Sequence, residues 1–250
     1  MGGHDAVALR RLGLPSSIEA CLFDLDGVLT QTAAVHKAAW KATFDPLLAD
    51  AGQSPFTDQD YLRYVDGRRR ADGVRAFLAS RGLDFPEGEP GDPPERQTVH
   101  GIGNQKNDRL LRELDEHGVE VYRGSERFLR SVREAGLSVA VVTASANAAA
   151  VLQAAGLTDL VETRVDGVVA ARDGLRGKPA PDTFLAAAEA LGVEPERAAV
   201  FEDALSGVQA GRSGGFGFVV GVDRAGQAEE LRRRGAHVVV TDLADLLGER

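Results

Sequence analysis

Five short apolar runs punctuate the chain: Ala20 to Phe23, Ser138 to Val142, Ala198 to Phe201, Phe216 to Val220 and His237 to Val240. Each is too short for a helix, and several are rich in Val. Unbroken apolar runs of this length are strands buried on both faces, as in a parallel sheet covered by helices. The segments between them carry apolar residues three and four apart: Phe128, Leu129 and Val132; Val151, Leu152 and Ala155; Phe184, Leu185, Ala188 and Leu191. Those helices stop at Gly136, Gly156 and Gly192, where glycine can take the left-handed conformation that closes a helix, and Gly235 ends another. Strand and helix in alternation predict an α/β fold with a doubly wound, Rossmann-like parallel sheet.

Residues 35–119 interrupt that rhythm. Helical patterns run through Val74, Phe77 and Leu78 and through Leu110, Leu111 and Leu114, ending at Gly82 and Gly118, with no parallel strand between them. The stretch Phe85 to Pro94 holds four prolines and is expected to be loop. The organisation predicted is a core domain of residues 1–34 and 120–250, with an inserted helical cap domain of residues 35–119.

Charge and cysteine usage narrow the function. A net charge of −9 argues against a nucleic-acid binder held by counterion release. Cys21, the single cysteine, excludes an internal disulfide and a thiolate zinc cluster, and fits a reducing compartment. Met1 to Leu14 has no apolar stretch of signal-peptide length, and Ala6 stands where a myristoylation signal needs Ser or Thr. No window approaches the ~20 apolar residues of a membrane span. A cytoplasmic monomer acting on a small molecule, with no nucleic acid or membrane partner, is expected. Of 29 basic residues only four are Lys (Lys37, Lys41, Lys106, Lys178), so a lysine marks a place where arginine does not serve.

Ligands of doubly wound sheets bind beyond the carboxyl ends of the strands. Asp24-Leu25-Asp26-Gly27 follows the first run, Thr143-Ala144-Ser145 the second and Glu202-Asp203 the third, while Lys178 precedes the helix that leads to the third. Polar residues after a strand are common, because Asp and Ser initiate turns. Acids gathered at one edge, however, repel and raise one another's pKa unless a cation joins them. Oxygen ligands without His or Cys favour magnesium over zinc. A calcium EF-hand loop is excluded, since Val28 stands where that loop needs an acid or amide.

This ordered set resembles the haloacid dehalogenase superfamily of phosphotransferases from about Ala20 to Val240. Asp24 to Thr30 matches its nucleophile motif, Thr143 its hydroxyl motif, Lys178 its lysine motif and Glu202-Asp203 its acidic motif. The resemblance implies that Asp24 forms an aspartyl phosphate and that Asp26 is the general acid and base. It implies Mg2+ held by Asp24, Asp26 through its carbonyl, and Asp203, with Glu202 beside them. Thr143 and Lys178 would bind the transferring phosphoryl oxygens.

Within the superfamily, the chain is similar to the β-phosphoglucomutase subgroup. The segment Thr30-Gln31-Thr32-Ala33-Ala34-Val35-His36-Lys37-Ala38-Ala39-Trp40 resembles its Thr-Asp-Thr-Ala followed by His and Ala-Trp. Gly67-Arg68-Arg69-Arg70-Ala71-Asp72 resembles its Gly-x-x-Arg-x-Asp, and Lys106-Asn107-Asp108 its Lys-Asn-Asp. The likeness implies that Arg70 grips a second, non-transferring phosphate, which a planar guanidinium chelates well. It also implies substrate contacts for His36, Trp40, Gly67, Lys106, Ser145 and Asn147, and a cap that excludes water. Gln31 replaces the usual Asp, Ala146 a common Lys and Ala204 a Ser. The expected reaction converts β-D-glucose 1-phosphate to D-glucose 6-phosphate through glucose 1,6-bisphosphate, the alternative being hydrolysis of a sugar phosphate. A phospho-accepting receiver module has no acid two residues past its nucleophile and no large insertion, so Asp26 and residues 35–119 weigh against it.

Overall fold

A computed structural model describes residues 6–248. The expectations for the start of the chain therefore rest partly on residues 1–5, outside the described residues. The chain divides into two compact units, Met1–Gln31 with Glu120–Arg250, and Thr32–Val119. The division falls three residues before the expected position because a helix, Thr32–Asp50, begins there.

The first unit is built on one six-stranded sheet: β1 (Ala20–Phe23), β2 (Ser138–Val142), β3 (Thr163–Val165), β4 (Ala198–Glu202), β5 (Phe218–Val222) and β6 (Val238–Val240). All pairings are parallel, in the order β3-β2-β1-β4-β5-β6. Five strands were legible as apolar runs. The sixth, β3, was not, because Thr-Arg-Val at a sheet edge has only Val165 buried. Strand β5 begins at Phe218 rather than Phe216, since Gly217 N–H is already committed to the Pro195 carbonyl, at 3.0 Å.

The apolar residues of β1, β2, β4 and β5 meet Phe184, Ala187, Ala188, Val208 and Leu231 from the flanking helices, and Phe216 from the loop before β5, in one buried cluster. Gly136, Gly156 and Gly192 all have positive φ at helix ends. The two strands of chain at the unit's break are tied to each other: Gln31 N–H donates to Glu120 O (2.8 Å) and Tyr122 N–H to Leu29 O (3.0 Å). Sheet order decides where a site can form. Strand β1 lies between β2 and β4, and Phe23 pairs in register with both Val141 and Phe201. Asp24, Thr143 and Glu202 thus reach the same carboxyl-terminal edge, where the chain order reverses, as the general rule for such sheets requires.

The second unit holds no strand among its residues. Its main helices are Thr32–Asp50, Arg70–Ser80 and Val99–His117, with a π-helical turn at Tyr61–Val65. Their core is aromatic: Trp40 stacks on Phe44 at 5.1 Å between ring centroids, and Phe44, Phe56 and Phe77 contact one another. Leu111, expected on the apolar face of its helix, is exposed. The proline-rich stretch is irregular, as expected, yet pinned. Asp92 is buried and accepts hydrogen bonds from Thr98 Oγ1 (2.7 Å), Glu89 N–H (3.1 Å) and Arg96 (2.6 Å).

Candidate active site

Four chain segments converge at the carboxyl edge of the sheet. Asp24 leaves β1, its N–H bonded to Phe201 O at 2.9 Å. Lys178 reaches in from the loop before the helix Asp182–Leu191, and its side chain is only 1% exposed. Its ammonium donates to Asp24 Oδ1 (2.5 Å), Glu202 Oε1 (2.5 Å) and the Val142 carbonyl (3.1 Å), so all three protons are used. Burial opposes the charge on Lys178, but Asp24 and Glu202 outweigh it and hold the ammonium above its ordinary pKa. Burial, the largest cause, raises the Asp24 carboxyl above the usual carboxylate range; Glu202 and Asp26 add to that and Lys178 counters it.

Glu202 is fully buried and its other oxygen accepts from Ala204 N–H at 2.9 Å. Gly207 makes room for it, since a Cβ there would come within 1.7 Å of Glu202 Oε1. Asp203 presses on the nucleophile loop in the same way. A Cβ on Gly27 would stand 1.9 Å from Asp203 Oδ2, and Gly27 has φ +90°, so the turn between Asp26 and Val28 requires glycine twice over.

Oxygen atoms of Asp24, Glu202 and Asp203, all buried, lie within 4.8 Å of one another. Three carboxylates against one ammonium leave an excess of buried negative charge, and the donors are hard oxygens with neither sulfur nor imidazole. That set fits a divalent cation.

Asp26 differs from its neighbours in being partly exposed. It accepts from Thr143 Oγ1 at 3.3 Å, and Thr143 Oγ1 accepts from Ser145 N–H at 3.1 Å. Asn147 N–H donates to Ser145 Oγ at 3.2 Å, which shapes the loop after β2.

The remaining sequence-selected residues lie in the second unit. There Lys106, buried, approaches His36 Nδ1 at 3.0 Å and stands 5.0 Å from the centre of the Trp40 ring. Gly67 has φ +66°, ahead of the helix that begins at Arg70. Within the Arg triplet, Asp72 pairs with Arg69 (2.8 Å) and Arg75 (2.5 Å). Arg70 instead donates to Asn104 Oδ1 at 3.2 Å. Burial lowers its guanidinium below the ordinary arginine value, with Asp108 opposing.

Sequence reasoning did not select Arg224 or Gln227, both in the loop after β5. Arg224 Nε donates to the Gly27 carbonyl at 2.8 Å, Nη1 to Thr241 O at 2.6 Å, and the guanidinium lies 3.6 Å from the centre of the Tyr122 ring. Gln227 Nε2 donates to the Asp203 carbonyl at 3.2 Å. The two thus brace the backbone of both acidic loops. No spacing signals a side chain that bonds a remote carbonyl, and Arg is abundant in this chain.

Fold and site together define an enzyme of the doubly wound α/β class, with acids, a hydroxyl and a buried lysine at the sheet's switch point. A family model described as haloacid dehalogenase-like hydrolase matches residues 18–215, and the chain belongs to that family. It is 55% identical to the β-phosphoglucomutase of Mycobacterium bovis, over 98% of this chain and 97% of that protein. It is 31% identical to the β-phosphoglucomutase of Bacillus subtilis over 92% of each. Among solved structures, β-phosphoglucomutase from Clostridium difficile superposes with a TM-score of 0.74 at 28% identity, over 92% of this chain and 93% of that one. Among the described residues no helix is long and apolar enough to cross a membrane.

Proposed function

We propose that this chain is a magnesium-dependent phosphotransferase that converts β-D-glucose 1-phosphate to D-glucose 6-phosphate through glucose 1,6-bisphosphate. The observation that carries the reading is the buried ammonium of Lys178 fixed between Asp24 and Glu202, with a partly exposed acid, Asp26, two residues along. The identity of 55% to a β-phosphoglucomutase over almost the whole chain supports the choice of substrate.

Lys178 fixes Asp24 Oδ1, so Asp24 has one rotamer and little orientational entropy to lose when it meets a phosphorus atom. An oxygen of Asp24 bonds to phosphorus as the bond from phosphorus to the departing sugar oxygen breaks, leaving an aspartyl phosphate. Asp26, in its protonated form, gives its proton to that sugar oxygen. It then takes the proton of the hydroxyl that receives the phosphoryl group in the second half-reaction. Thr143, Ser145 and Asn147 offer hydrogen bonds to phosphoryl oxygens or sugar. Asp24, the Asp26 carbonyl and Asp203 would hold magnesium, with Glu202 beside them, and the ion would neutralise charge on the transferring group.

In the second unit, Arg70 binds the phosphate that does not react, while His36, Trp40, Gly67 and Lys106 contribute to sugar-phosphate recognition. Asp24→Asn keeps the shape and removes the nucleophile. It is expected to abolish turnover of every phosphate ester; retained turnover on any of them would defeat the assignment.

A further inference from the structure

The proline-rich segment before the helix Val99–His117 has no part in the function proposed above, yet it is among the most closely tied pieces of irregular chain in the second unit. The buried Asp92 carboxylate draws Thr98, Glu89 and Arg96 together. Gly88 has φ +71°, and a Cβ on it would stand 2.2 Å from Asp92 Oδ2. Gly101 lies so close beneath the segment that a Cβ there would come within 2.1 Å of Arg96 O. Arg75 clamps Glu87 from outside with Nε and Nη2.

One side chain connects this construction to Arg70. Asn104 Nδ2 donates to Pro90 O (3.0 Å) and Asp92 O (2.8 Å), and Asn104 Oδ1 accepts from Arg70 Nη1 (3.2 Å). Its partners settle the amide orientation. Two carbonyls need a donor and a guanidinium needs an acceptor, so the flipped amide would oppose like to like at all three contacts. Beside it, Gly103 leaves space for the arginine stem: a Cβ there would stand 3.1 Å from Arg70 Cγ and 3.3 Å from Cδ.

We infer that Asn104 is a positioning residue for Arg70, holding the guanidinium by a carbonyl oxygen whose direction is set by the proline-rich segment Pro86–Arg96, with Gly103 providing the space the arginine stem occupies. The inference rests on the proposed role of Arg70 toward a non-reacting phosphate. An arginine, whose long side chain is rich in rotamer freedom, binds such a group more tightly when its plane is fixed beforehand. The segment, through Asn104, then sets affinity for substrates carrying a second phosphate, and touches neither the substrate nor the reacting atoms.

The test measures kcat and KM with glucose 1,6-bisphosphate and, separately, with a small aryl phosphate that has no second phosphate. Native enzyme, Asn104→Leu, Gly103→Ala, Arg70→Ala and the double variant Arg70→Ala/Asn104→Leu are compared, with thermal melts alongside. Asn104→Leu is expected to raise KM for the bisphosphate roughly tenfold, the scale of one hydrogen bond to a charged group, with a much smaller change for the aryl phosphate. Gly103→Ala favours the helix, so it is expected to hold or raise the melting temperature while raising the bisphosphate KM.

In the double variant, Asn104→Leu should add almost nothing to the loss from Arg70→Ala, because residues acting through one another are not additive. Additive losses, or equal losses on both substrates, would overturn the inference. If Arg70→Ala weakens the bisphosphate selectively while Asn104→Leu does not, the positioning role alone fails. If Arg70→Ala shows no selectivity, the proposed role of Arg70 fails and takes this inference with it.

Discussion

Replacing Lys178 by Met keeps most of the side-chain volume and deletes one charge at the centre of the site. Two carboxylates, Asp24 and Glu202, lose the ammonium that stands 2.5 Å from each, and the Val142 carbonyl loses its donor. Removing one partner from a buried ion pair costs about 3–5 kcal/mol, since the charge left behind has neither water nor counterion. In a chain of this size each kcal/mol moves the midpoint about 2–4 °C, so the melt should fall by roughly 6–20 °C. The assay is a thermal melt in a chelator, so that no divalent cation replaces the missing charge.

The pH dependence of that loss has a definite sign. Burial already raises the Asp24 carboxyl, and without Lys178 it rises further. A raised folded-state pKa gives stability at low pH that is lost as pH climbs through it, so the deficit should widen as pH rises above the ordinary carboxylate range. Adding Asp24→Asn to the variant removes one stranded charge and should restore part of the stability. A Lys178→Met protein that melts with the native one at pH 8 in chelator would mean that the ammonium is not what keeps these carboxylates buried.

Two further outcomes follow from the same geometry. Arg224→Ala frees the Gly27 carbonyl and the Tyr122 ring, and is expected to lower kcat about tenfold on sugar phosphate and aryl phosphate alike, because the nucleophile loop serves both; a loss confined to one substrate would count against the bracing role. Burial works to raise the Asp60 carboxyl, but the Thr57 hydroxyl and N–H and the Arg81 guanidinium hold it below the usual range. A depressed pKa gives stability that is present above the ordinary carboxylate value and lost as pH falls through the folded one. Urea titrations should therefore show Asp60→Asn less stable than the native chain near pH 6, with the difference shrinking as pH falls below the ordinary carboxylate value; a constant difference would mean that the charge is irrelevant.

The residues most legible in the sequence are those within three positions of a strand end. Asp24, Asp26, Thr143 and Glu202 could be placed together because a parallel sheet fixes which ends are neighbours, and the register of Phe23 with Val141 and Phe201 does place them so. Lys178 was visible through scarcity, as one lysine among four. Strand β3 was hidden because an edge strand of three residues has too little apolar surface to leave a pattern. Arg224, Gln227 and Asn104 were hidden for another reason. Each acts by hydrogen bonds to distant backbone or side-chain groups, and such bonds leave no periodicity behind. The triplet Arg68-Arg69-Arg70 lies between these cases: its likeness to a phosphate-binding motif was readable, but its division of labour, Arg69 on Asp72 and Arg70 on Asn104, needed coordinates.

A mutase returns the phosphoryl group on Asp24 to a sugar and not to water. Supplying magnesium, β-D-glucose 1-phosphate and a trace of glucose 1,6-bisphosphate, and following glucose 6-phosphate against free phosphate, measures that choice directly. Glucose 6-phosphate is expected as the main product, with phosphate release a minor leak; phosphate as the dominant product would overturn the mutase assignment.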